Sequence, residues 1–403
     1  MRVLVTSSRN TFALDIIRKL GSLGHTVIAS DTYGGAIGSH SKYLAGHVVT
    51  ASPRFETDRF IAEVNAAVLE HEIDIILPMF EEAFYLAARA GDLPDGVKLY
   101  TGAFSELARL HDKASFQRLA EQADVPIPET VVVTSDAELA AAIDRFPQFF
   151  ARAAFSRGGV GLLTNTGPLA GKISAADCHP TPEQPWLVQP FVDGPMICTF
   201  STVVDGRVTA HCTYSAPTQW EHSTGISFLA IDSTDTLRYT QRLIDELDSG
   251  FTGLISFDFV DHDGELFIIE CNPRPTNGVI LLEADAFAGA LTGAGERAVV
   301  VEPGLTSQVQ LAVIAEAFTE PLSKVPAALQ SALRIKDVGA GWHDNAAMLW
   351  GLATLWHGAE LDHGSHKEIM AALAEDIVWN GEPIEGMSQA DADALEAVHA
   401  QRV

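Results

Sequence analysis

The residues with the clearest capacity for chemistry lie in the stretch LISFDFVDHDGELFIIECN. Two apolar alternating runs, 254–260 and 265–271, flank the turn sequence Asp-His-Asp-Gly, a pattern typical of an antiparallel β-hairpin. Side chains alternate between the two faces of a strand. Asp258 on the first strand, Glu270 on the second and Asn272 just beyond it can therefore converge at one end of the hairpin.

Oxygen ligands of this kind suit Mg²⁺, which takes one or two carboxylates and leaves its other positions to water and phosphate oxygens. Arg274, two residues after Asn272, supplies a guanidinium fork for a carboxylate or phosphate. The alternative is that Asp258 is an exposed strand residue and Glu270 a charge near a turn. Both acids have apolar neighbours that predict buried strands, and a buried acid is rarely unpaired. The pattern therefore favours metal binding.

This stretch resembles the metal-binding end of the ATP-grasp superfamily. In that family an acid on one strand is followed by a turn and then by the sequence E-x-N-x-R. The matching positions here are Asp258, Glu270, Asn272 and Arg274. The motif is fairly specific, and other segments of the chain can test it.

The bulk composition narrows the class of protein. The chain has 403 residues and a formal net charge of −27, and its length predicts two to three domains. It has no run of Lys or Arg, so neither nucleic acid nor an anionic membrane is an expected partner. The four cysteines lack C-x-x-C spacing and are expected to be free thiols of a cytoplasmic protein. Neither a signal peptide nor a transmembrane helix is expected.

The N-terminal part alternates strands and helices. Residues 2–6 and 26–30 predict buried strands on either side of a helix at 11–20, which is a βαβ unit of a parallel sheet. An NAD-binding domain has the same pattern, with Asp31 placed to contact a ribose. The first turn lacks G-x-G-x-x-G, however, and those glycines let the backbone approach a pyrophosphate.

Two acids, Glu81 and Glu82, follow a strand predicted at 73–77. Ligands in open α/β sheets bind beyond the carboxyl ends of the strands. These acids are therefore candidates to contact a substrate amine or hydroxyl. Acids in a first helical turn also stabilise the helix dipole, and the sequence leaves both interpretations open.

A nucleotide site in so acidic a chain must gather its own positive charge. Lys113 opens a helix after Asp112, which alone indicates only a helix cap; the resemblance implies that this lysine reaches nucleotide phosphate. Arg152 and Ala153 stand where the ATP-grasp glycine loop follows a Lys-Pro pair, and arginine keeps the charge. The loop residues that the resemblance places on the nucleotide are Ser156, Gly158, Gly159 and Gly161. An ordinary flexible hairpin tip is the alternative.

The segment WLVQPFVDG resembles the connection between the two ATP-grasp lobes, whose backbone groups pair with the adenine edge. The resemblance implies that Gln189 lies at the adenine amino group. The Pro190 carbonyl and the Val192 N–H would face the ring, with Phe191 between them in the same nucleotide-binding segment. The family often has acids here, so the ribose contact has no assigned residue.

Three histidines are weaker candidates for a catalytic or metal-binding role. His222, in the polar loop 215–227, is a candidate catalytic base near the phosphates, although surface histidines are common. His363 and His366 could share a helix face, but nothing nearby completes a metal set, and solvent exposure is favoured. The acidic stretch 389–397 predicts a solvated helix.

The matching features occur in family order over about the first 305 residues. The expected fold is α/β, with α+β character in the two ATP-grasp lobes. The predicted domains are an N-terminal βαβ domain at 1–110, a small lobe at 111–188, a large lobe at 189–305 and a C-terminal α/β extension at 306–403.

The resemblance implies an ATP-dependent carboxylate–amine ligase. Asp258, Glu270 and Asn272 would hold two Mg²⁺ ions, with Mn²⁺ as an alternative ion, on the phosphates of ATP. A small-molecule carboxylic acid would be activated as an acyl phosphate, and an amine would then displace phosphate. Arg274, beside Asn272, would orient the carboxylate and steady the tetrahedral intermediate. A homodimer through the first domain is a further implication.

Two other classes of function stay open. The loss of the Lys-Pro pair and of the acids near the adenine segment is typical of a nucleotide-binding regulator or pseudoenzyme. A dehydrogenase built on the N-terminal βαβ unit is disfavoured by the missing glycines. The sequence names neither the acid nor the amine.

Overall fold

The computed structural model describes residues 1–155, 161–167, 169–220, 224–247, 249–310 and 369–400, with the separate positions 313, 335–337, 344, 350, 353, 354 and 357. Within those ranges the strands form three larger sheets and one short two-stranded ladder. Parallel and antiparallel sheets both occur, together with helices. The predicted α/β fold class, with α+β lobes, is therefore confirmed.

The first sheet is parallel. Its strands are β1 (Arg2–Val5), β2 (Thr26–Asp31), β3 (Gly46–Val49), β4 (Ile75–Leu77) and β5 (Lys98–Leu99). The helices that connect them are α1 (Thr11–Ser22), α2 (Thr57–Glu70) and α3 (Glu82–Ala88). The strand order is β3-β2-β1-β4-β5, so β2 and β3 lie on one side of β1, whereas β4 and β5 lie on its other side. Such a switch point opens a crevice at the carboxyl ends of the strands.

Two helices, α4 (Phe104–His111) and α5 (Lys113–Gln122), lead to the second sheet. The helix cap that the sequence indicates before Lys113 is present, because Asp112 caps α5 by accepting the Ser115 N–H at 2.8 Å. The second sheet is antiparallel and consists of β6 (Val131–Val133), β7 (Phe149–Ala153), β8 (Leu162–Thr164) and β9 (Trp186–Pro190), with α6 (Asp136–Arg145) beside it. Its strand order is β6-β9-β7-β8.

The strands that follow are β10 (Met196–Val204), β11 (Arg207–Ser215), β12 (Gln219–Trp220), β13 (Thr224–Gly225), β14 (Ser227–Ala230), β15 (Gly253–His262), β16 (Glu265–Asn272), β17 (Val299–Val300), β18 (Thr306–Gln308) and β19 (Lys336–Asp337). β12 and β13 pair with each other where the sequence predicted only a loop. The others form the third sheet, in the order β16-β15-β10-β11-β14-β18-β19 with β17 against β11. The helices of this part are α7 (Thr234–Asp245) and α8 (Ala284–Leu291), and a 3-10 turn at Asn277–Leu281 precedes α8.

β15 and β16 form the predicted hairpin. Its turn residues Asp263 and Gly264 have φ angles of 54° and 91°, the left-handed pair that a type I′ turn requires. On one face of the hairpin Phe257 is fully buried and stacks on Phe116 of α5, with 6.0 Å between ring centroids. This contact holds α5 beside the hairpin.

The C-terminal segment returns to the first sheet. It contains α9 (Ile369–Ala374) and α10 (Gln389–Ala400). Between them Trp379 is fully buried and stacks on Phe84, with 4.5 Å between ring centroids. Arg9, just after β1, forms an ion pair of 2.7 Å with Asp376. The end of the chain therefore covers the switch-point edge of the parallel sheet.

The helix predicted in the acidic stretch 389–397 is present as α10, but it is not solvated on all sides. Leu395 and Val398 are buried in the same core cluster as Phe104 of α4. A helix with one apolar face packs that face on the core. Among the described helices, none is long and apolar enough to cross a bilayer.

His211 on β11 predicts sensitivity to acid. Its ring is fully buried among the hydroxyls of Ser201, Thr213 and Thr236, and burial lowers the pKa of His211 to about 3 from its ordinary 6.5. Between these values the unfolded chain binds one proton more than the folded chain. The free energy of unfolding should therefore fall by about 1.4 kcal/mol for each pH unit below about 6.5 through this group alone.

Urea denaturation of the wild type and of His211→Gln at pH 7.5 and pH 5.0 measures this effect. The advantage of the wild type over the variant should shrink by about 2 kcal/mol at the lower pH, because only the wild type carries the extra titration. An advantage of equal size at both pH values would contradict the assignment.

Candidate active site

The two predicted metal-binding acids face each other across the hairpin. Asp258 pairs in register with Glu270, and Ser256 pairs with Asn272, so all four side chains lie on one face. A bulge directly after Asp258 shifts the register on the far side. The structure therefore brings together the three oxygen-bearing residues that the sequence selected.

Two cations converge on the Glu270 carboxylate. Arg152 Nη1 lies 3.1 Å and Lys113 Nζ 3.7 Å from Glu270 Oε2. Both cations are buried, with about 6% of each side chain exposed. Lys113 is the first residue of α5, and Arg152 comes from β7 in the second sheet. The predicted phosphate-binding residues therefore meet the predicted metal ligands.

The guanidinium nitrogens of Arg152 differ in their hydrogen bonding. Its Nη2 donates to the Ile269 carbonyl, while its Nε is buried and has no hydrogen-bond partner among the described residues. An unsatisfied buried donor is unfavourable, by about 1–3 kcal/mol or more for a charged group. An anion placed beside Arg152 would relieve that loss.

The surroundings of Asp258 and Glu270 shift the pKa values of the two acids in opposite directions. Burial, followed by the nearby Glu270, raises the pKa of Asp258 to about 7. Burial also opposes ionisation of Glu270, but Lys113 and Arg152 outweigh it and lower the pKa of Glu270. The pair therefore favours one charge over two near neutral pH, and a divalent cation would stabilise the second charge.

Asn272 and Arg274 are tied to each other. Arg274 Nη2 donates to Asn272 Oδ1 at 3.1 Å, and Asn272 Nδ2 donates to Asp258 Oδ2 at 3.1 Å. Arg274 also lies 4.3 Å above the ring centroid of Phe80, which follows β4 of the first sheet. For Asn272 to bind a metal through its oxygen, its amide must rotate and release Arg274.

The glycine-rich segment joins β7 to β8. Ser156, Gly158 and Gly159 lie outside the described residues. Gly161 has a φ of 67° and its carbonyl accepts the Ala153 N–H at 3.2 Å. Arg152 on β7 pairs with Leu162 on β8. Both ends of the glycine-rich segment therefore lie next to Arg152.

The predicted adenine segment lies at the end of β9 and just after it. Gln189 is buried, and its Nε2 donates to Thr130 Oγ1 at 2.8 Å. Pro190 is the last residue of β9, and the Phe191 N–H donates to the Gln148 carbonyl at 2.9 Å. Within the described part of the chain the Val192 N–H has no such bond, so it is the backbone donor here that stays available to a ligand.

The two acids after β4 are both engaged in the protein. Glu81 Oε2 accepts the Trp379 N–H at 2.8 Å. Glu82 Oε1 accepts the Met79 N–H at 2.8 Å and also binds the Thr6 hydroxyl. Its other oxygen, Oε2, is buried without a partner among the described residues. Of this pair, Glu82 keeps an acceptor for a ligand.

Asp31, the candidate ribose contact of an NAD site, is hydrogen-bonded to another residue of the protein. It is buried, and its carboxylate accepts the Arg9 backbone N–H at 2.7 Å and the Arg9 Nε at 2.9 Å. This pairing disfavours the dehydrogenase hypothesis. The remaining candidates His222, His363 and His366 lie outside the described residues.

The sequence did not predict the polar side chains of neighbouring strands that lie next to Asp258. Cys198 on β10 pairs with Asp258, and burial and then Asp258 raise the pKa of its thiol well above the ordinary value. Tyr214 on β11 donates to Thr276 at 3.2 Å, and Ser256 lies 2.9 Å from the same hydroxyl. No local signal marks these residues, because they meet only when β10, β11 and β15 align.

The residues present fit a metal–nucleotide complex. Two carboxylates and an amide provide the hard oxygen set that Mg²⁺ prefers when phosphate and water complete its shell. Consistent with that incomplete set, no group of three or more His, Cys, Asp or Glu side chains in the described ranges could hold a metal alone. Two buried cations, and the Arg152 Nε that has no partner within the described ranges, are suited to phosphate oxygens.

Comparison with solved structures identifies related folds. A biotin carboxylase of Campylobacter jejuni, in complex with beta-gamma-ATP, matches with a TM-score of 0.58 and 16% identity over 73% of this chain and 71% of that one. An N5-carboxyaminoimidazole synthetase of Staphylococcus aureus, complexed with ADP, gives 0.57 and 13% over 76% and 80%. A phosphoribosylamine–glycine ligase of Thermotoga maritima gives 0.55 and 15% over 76% and 78%.

The chain has the fold of the ATP-grasp superfamily. The predicted fold resemblance is thereby confirmed, since the matched structures cover about three quarters of the chain. In sequence, no protein-family model and no curated protein matches.

Proposed function

We propose that this protein is an ATP-dependent ligase that activates a small-molecule carboxylate as an acyl phosphate and joins it to an amine. One observation carries the proposal: Glu270 faces Asp258 and is held by both Lys113 and Arg152. That arrangement supports the proposal because, in an ATP-grasp fold, the carboxylate pair would hold a divalent metal and the two cations beside it would bind phosphate.

The reaction that suits these residues has two steps. A carboxylate oxygen of the substrate attacks the γ-phosphate of ATP, so that an O–P bond forms, the bond to the β-phosphate oxygen breaks and ADP leaves. The amine nitrogen then attacks the acyl carbon, the C–O bond breaks and phosphate leaves, while the nitrogen loses a proton. The products are an amide, ADP and phosphate.

Each of the chain's own groups has a defined task in that scheme. Asp258, Glu270 and Asn272 would hold Mg²⁺, whose charge neutralises the transferring phosphate. Lys113 and the unpaired Nε of Arg152 bind phosphate oxygens. Such donors stabilise negative charge well because they are fixed before the reaction and partly shielded from water.

The acid and amine substrates belong between the hairpin and the first sheet. Arg274 lies there over the Phe80 ring and would orient a carboxylate. Glu82, through its free oxygen, would accept a hydrogen bond from an amine. The loops at 7–10 and 78–82 follow the neighbouring parallel strands β1 and β4, so they lie at the same edge of the sheet and would set specificity.

The test is a screen for ADP release from Mg-ATP with panels of carboxylic acids and amines, with hydroxylamine added to trap acyl phosphates. Hydroxamate formation that depends on one carboxylic acid would support the proposal. If ATP binds but no acid–amine pair yields ADP above background, the ligase assignment falls.

Arg152 gives a second test. Replacing Arg152 by methionine should weaken metal-free ATP binding by about ten- to a hundredfold, because hydrogen bonds to charged groups contribute about 1.5–3 kcal/mol. Arg152→Lys should stay within about tenfold of the wild type, since it keeps the charge without the fork. Calorimetric titration in the presence of a chelator measures both.

The matched control for this series is Arg145→Met. Arg145 lies in the same part of the chain, on α6, but is exposed and paired with Glu129. It should leave ATP affinity unchanged. Equal affinity of Arg152→Met and the wild type would remove Arg152 from the phosphate site.

A nucleotide-binding regulator is the second candidate. Two features favour it: arginine and alanine replace the family's Lys-Pro pair, and Gln189 stands where acids are frequent and is bonded to Thr130. Such a protein would bind Mg-ATP without consuming it. Sustained ADP production that depends on a substrate would exclude this function.

The remaining assignments are proposals of the same kind. They are the cytoplasm as compartment, a homodimer through the first domain, two metal ions with Mn²⁺ as an alternative, and domain boundaries at 110, 188 and 305. The second of these boundaries falls within β9 (Trp186–Pro190).

A further inference from the structure

A second cleft lies on the opposite face of the third sheet from Asp258. On β11, Tyr214 points toward Thr276 and the acids, whereas His211 and Thr213 bond to Thr236 of α7. α7 therefore covers the other face. Along this helix, between the start of β11 and the segment that enters β17, lies a cleft of about 710 Å³. That volume is within the range of small-molecule sites.

The lining of this cleft is basic in an acidic protein. It contains four arginines, which we call the arginine cleft: Arg207, Arg238, Arg242 and Arg297. Among the described residues two acids, Asp245 and Glu296, share the lining, although the whole chain has 53 acidic against 26 basic side chains. Its apolar part consists of Val208, Leu237, Ala298 and Val300. Positive charge therefore borders an apolar surface.

Two of these arginines have guanidinium nitrogens without a hydrogen-bond partner in the described part of the chain. Arg207 Nη2 donates to the Gly293 carbonyl at 2.8 Å, but its Nη1 is buried and has no partner among the described residues. Arg297 is exposed and makes no hydrogen bond or ion pair with the described part of the chain. A buried guanidinium nitrogen without an acceptor is unfavourable, so an anion bound within reach of this nitrogen would be stabilised.

The other two arginines form ion pairs near the surface. Arg238 pairs with Asp235 at 2.6 Å, and more than half of each side chain is exposed. Arg242 pairs with Asp124 at 3.2 Å and also donates to the Asp124 carbonyl at 2.8 Å, and 39% of its side chain is exposed. Exposed ion pairs of this kind contribute little to stability. An incoming anion can therefore exchange with those carboxylates at small free-energy cost.

We propose that the arginine cleft binds a small organic dianion that has an apolar part beside its charged group. Guanidinium forks match the oxygens of phosphate and carboxylate, and the apolar lining accommodates a ring or short chain. The site is separate from the candidate active site and does not depend on the proposed ligase function.

The test uses two probes of this chemistry, phenyl phosphate and phthalate, in calorimetric titrations of the full chain, with neutral benzamide for comparison. We expect saturable binding of at least one dianion and none of benzamide. Phosphate and carboxylate sources are distinguished by which probe binds. Failure of both dianions to bind saturably would overturn the proposal.

The variant for this test is Arg238→Gln with Arg297→Gln, both exposed, so the fold should persist. Affinity for the bound probe should fall at least tenfold. The matched control is Arg59→Gln with Arg145→Gln, two exposed arginines in ion pairs elsewhere on the chain, which should keep wild-type affinity. Equal affinity of the cleft variant and the control would also overturn the proposal.

Discussion

Replacing Glu270 by glutamine is expected to abolish the Mg²⁺ dependence of ATP binding and to lower the rate of ADP formation by about a thousandfold or more. Glu270 is the acid that faces Asp258 and neutralises both Lys113 and Arg152. The amide keeps the shape of the side chain but removes its charge. The metal then loses a carboxylate, whereas the two cations lose their counter-ion.

This variant should separate metal binding from phosphate binding. Because Lys113 and Arg152 are released from Glu270, ATP affinity in a chelator should be equal to or higher than that of the wild type. Calorimetric titration of ATP with and without Mg²⁺ measures both quantities. Absence of nucleotide binding in the wild type under every condition would end the ATP-grasp ligase proposal.

The control is Glu265→Gln, which lies at the exposed start of the same strand β16. It changes the same charge on the same strand, away from the two cations. It should keep the Mg²⁺ dependence of the wild type. If Glu270→Gln behaved as this control does, Glu270 would be a structural ion-pair partner and not a metal ligand.

Replacing Trp379 by alanine is expected to lower the free energy of unfolding by about 3–5 kcal/mol. Its side chain is fully buried and packs against the rings of Phe84, Phe104 and Phe155, and its Nε1 donates to the Glu382 carbonyl at 2.7 Å. The substitution leaves a large cavity between the C-terminal segment and the first sheet. Urea denaturation followed by circular dichroism measures the change.

Trp350→Ala is the matched control for this prediction. Trp350 stacks on His40 with 3.8 Å between ring centroids, but 38% of the residue is exposed. Its loss should lower the free energy of unfolding by about 1 kcal/mol or less. Equal losses in the two variants would show that the contact of Trp379 does not anchor the C-terminal segment.

Trp379→Ala should also weaken nucleotide binding modestly. Phe155, whose ring lies 5.7 Å from that of Trp379, follows β7 and the Arg152 position by three residues. Loss of the packing partner would loosen this end of the glycine-rich segment. ATP affinity should fall in Trp379→Ala and not in Trp350→Ala.

Local features made the hairpin predictable. Its alternation of apolar and polar residues and its Asp-Gly turn act within a few residues, so they fix which side chains share a face before the rest of the chain is placed. Asp258, Glu270 and Asn272 were therefore found together as expected. The capped start of α5 at Lys113 is local in the same sense.

Contacts between distant segments were harder to predict. Glu81 and Glu82 were equal candidates from the sequence. Only the fold shows that Glu81 accepts the Trp379 N–H, and that Glu82 has one oxygen without a partner in the described part of the chain. The pairing of Asp31 with Arg9 likewise depends on how β1 and β2 align. Period and turn signals carry no information about such partners.

The sequence by itself determined the fold class, the hairpin and the chemical types at the candidate site, because these follow from local periodicity, turn residues and an ordered set of motifs. Only the tertiary structure decided that Lys113 and Arg152 share the Glu270 carboxylate, and that four arginines border one cleft of an acidic chain. The physical reason is that charge pairing and burial depend on distance in space. Those distances are set when α5, β7 and the hairpin pack together.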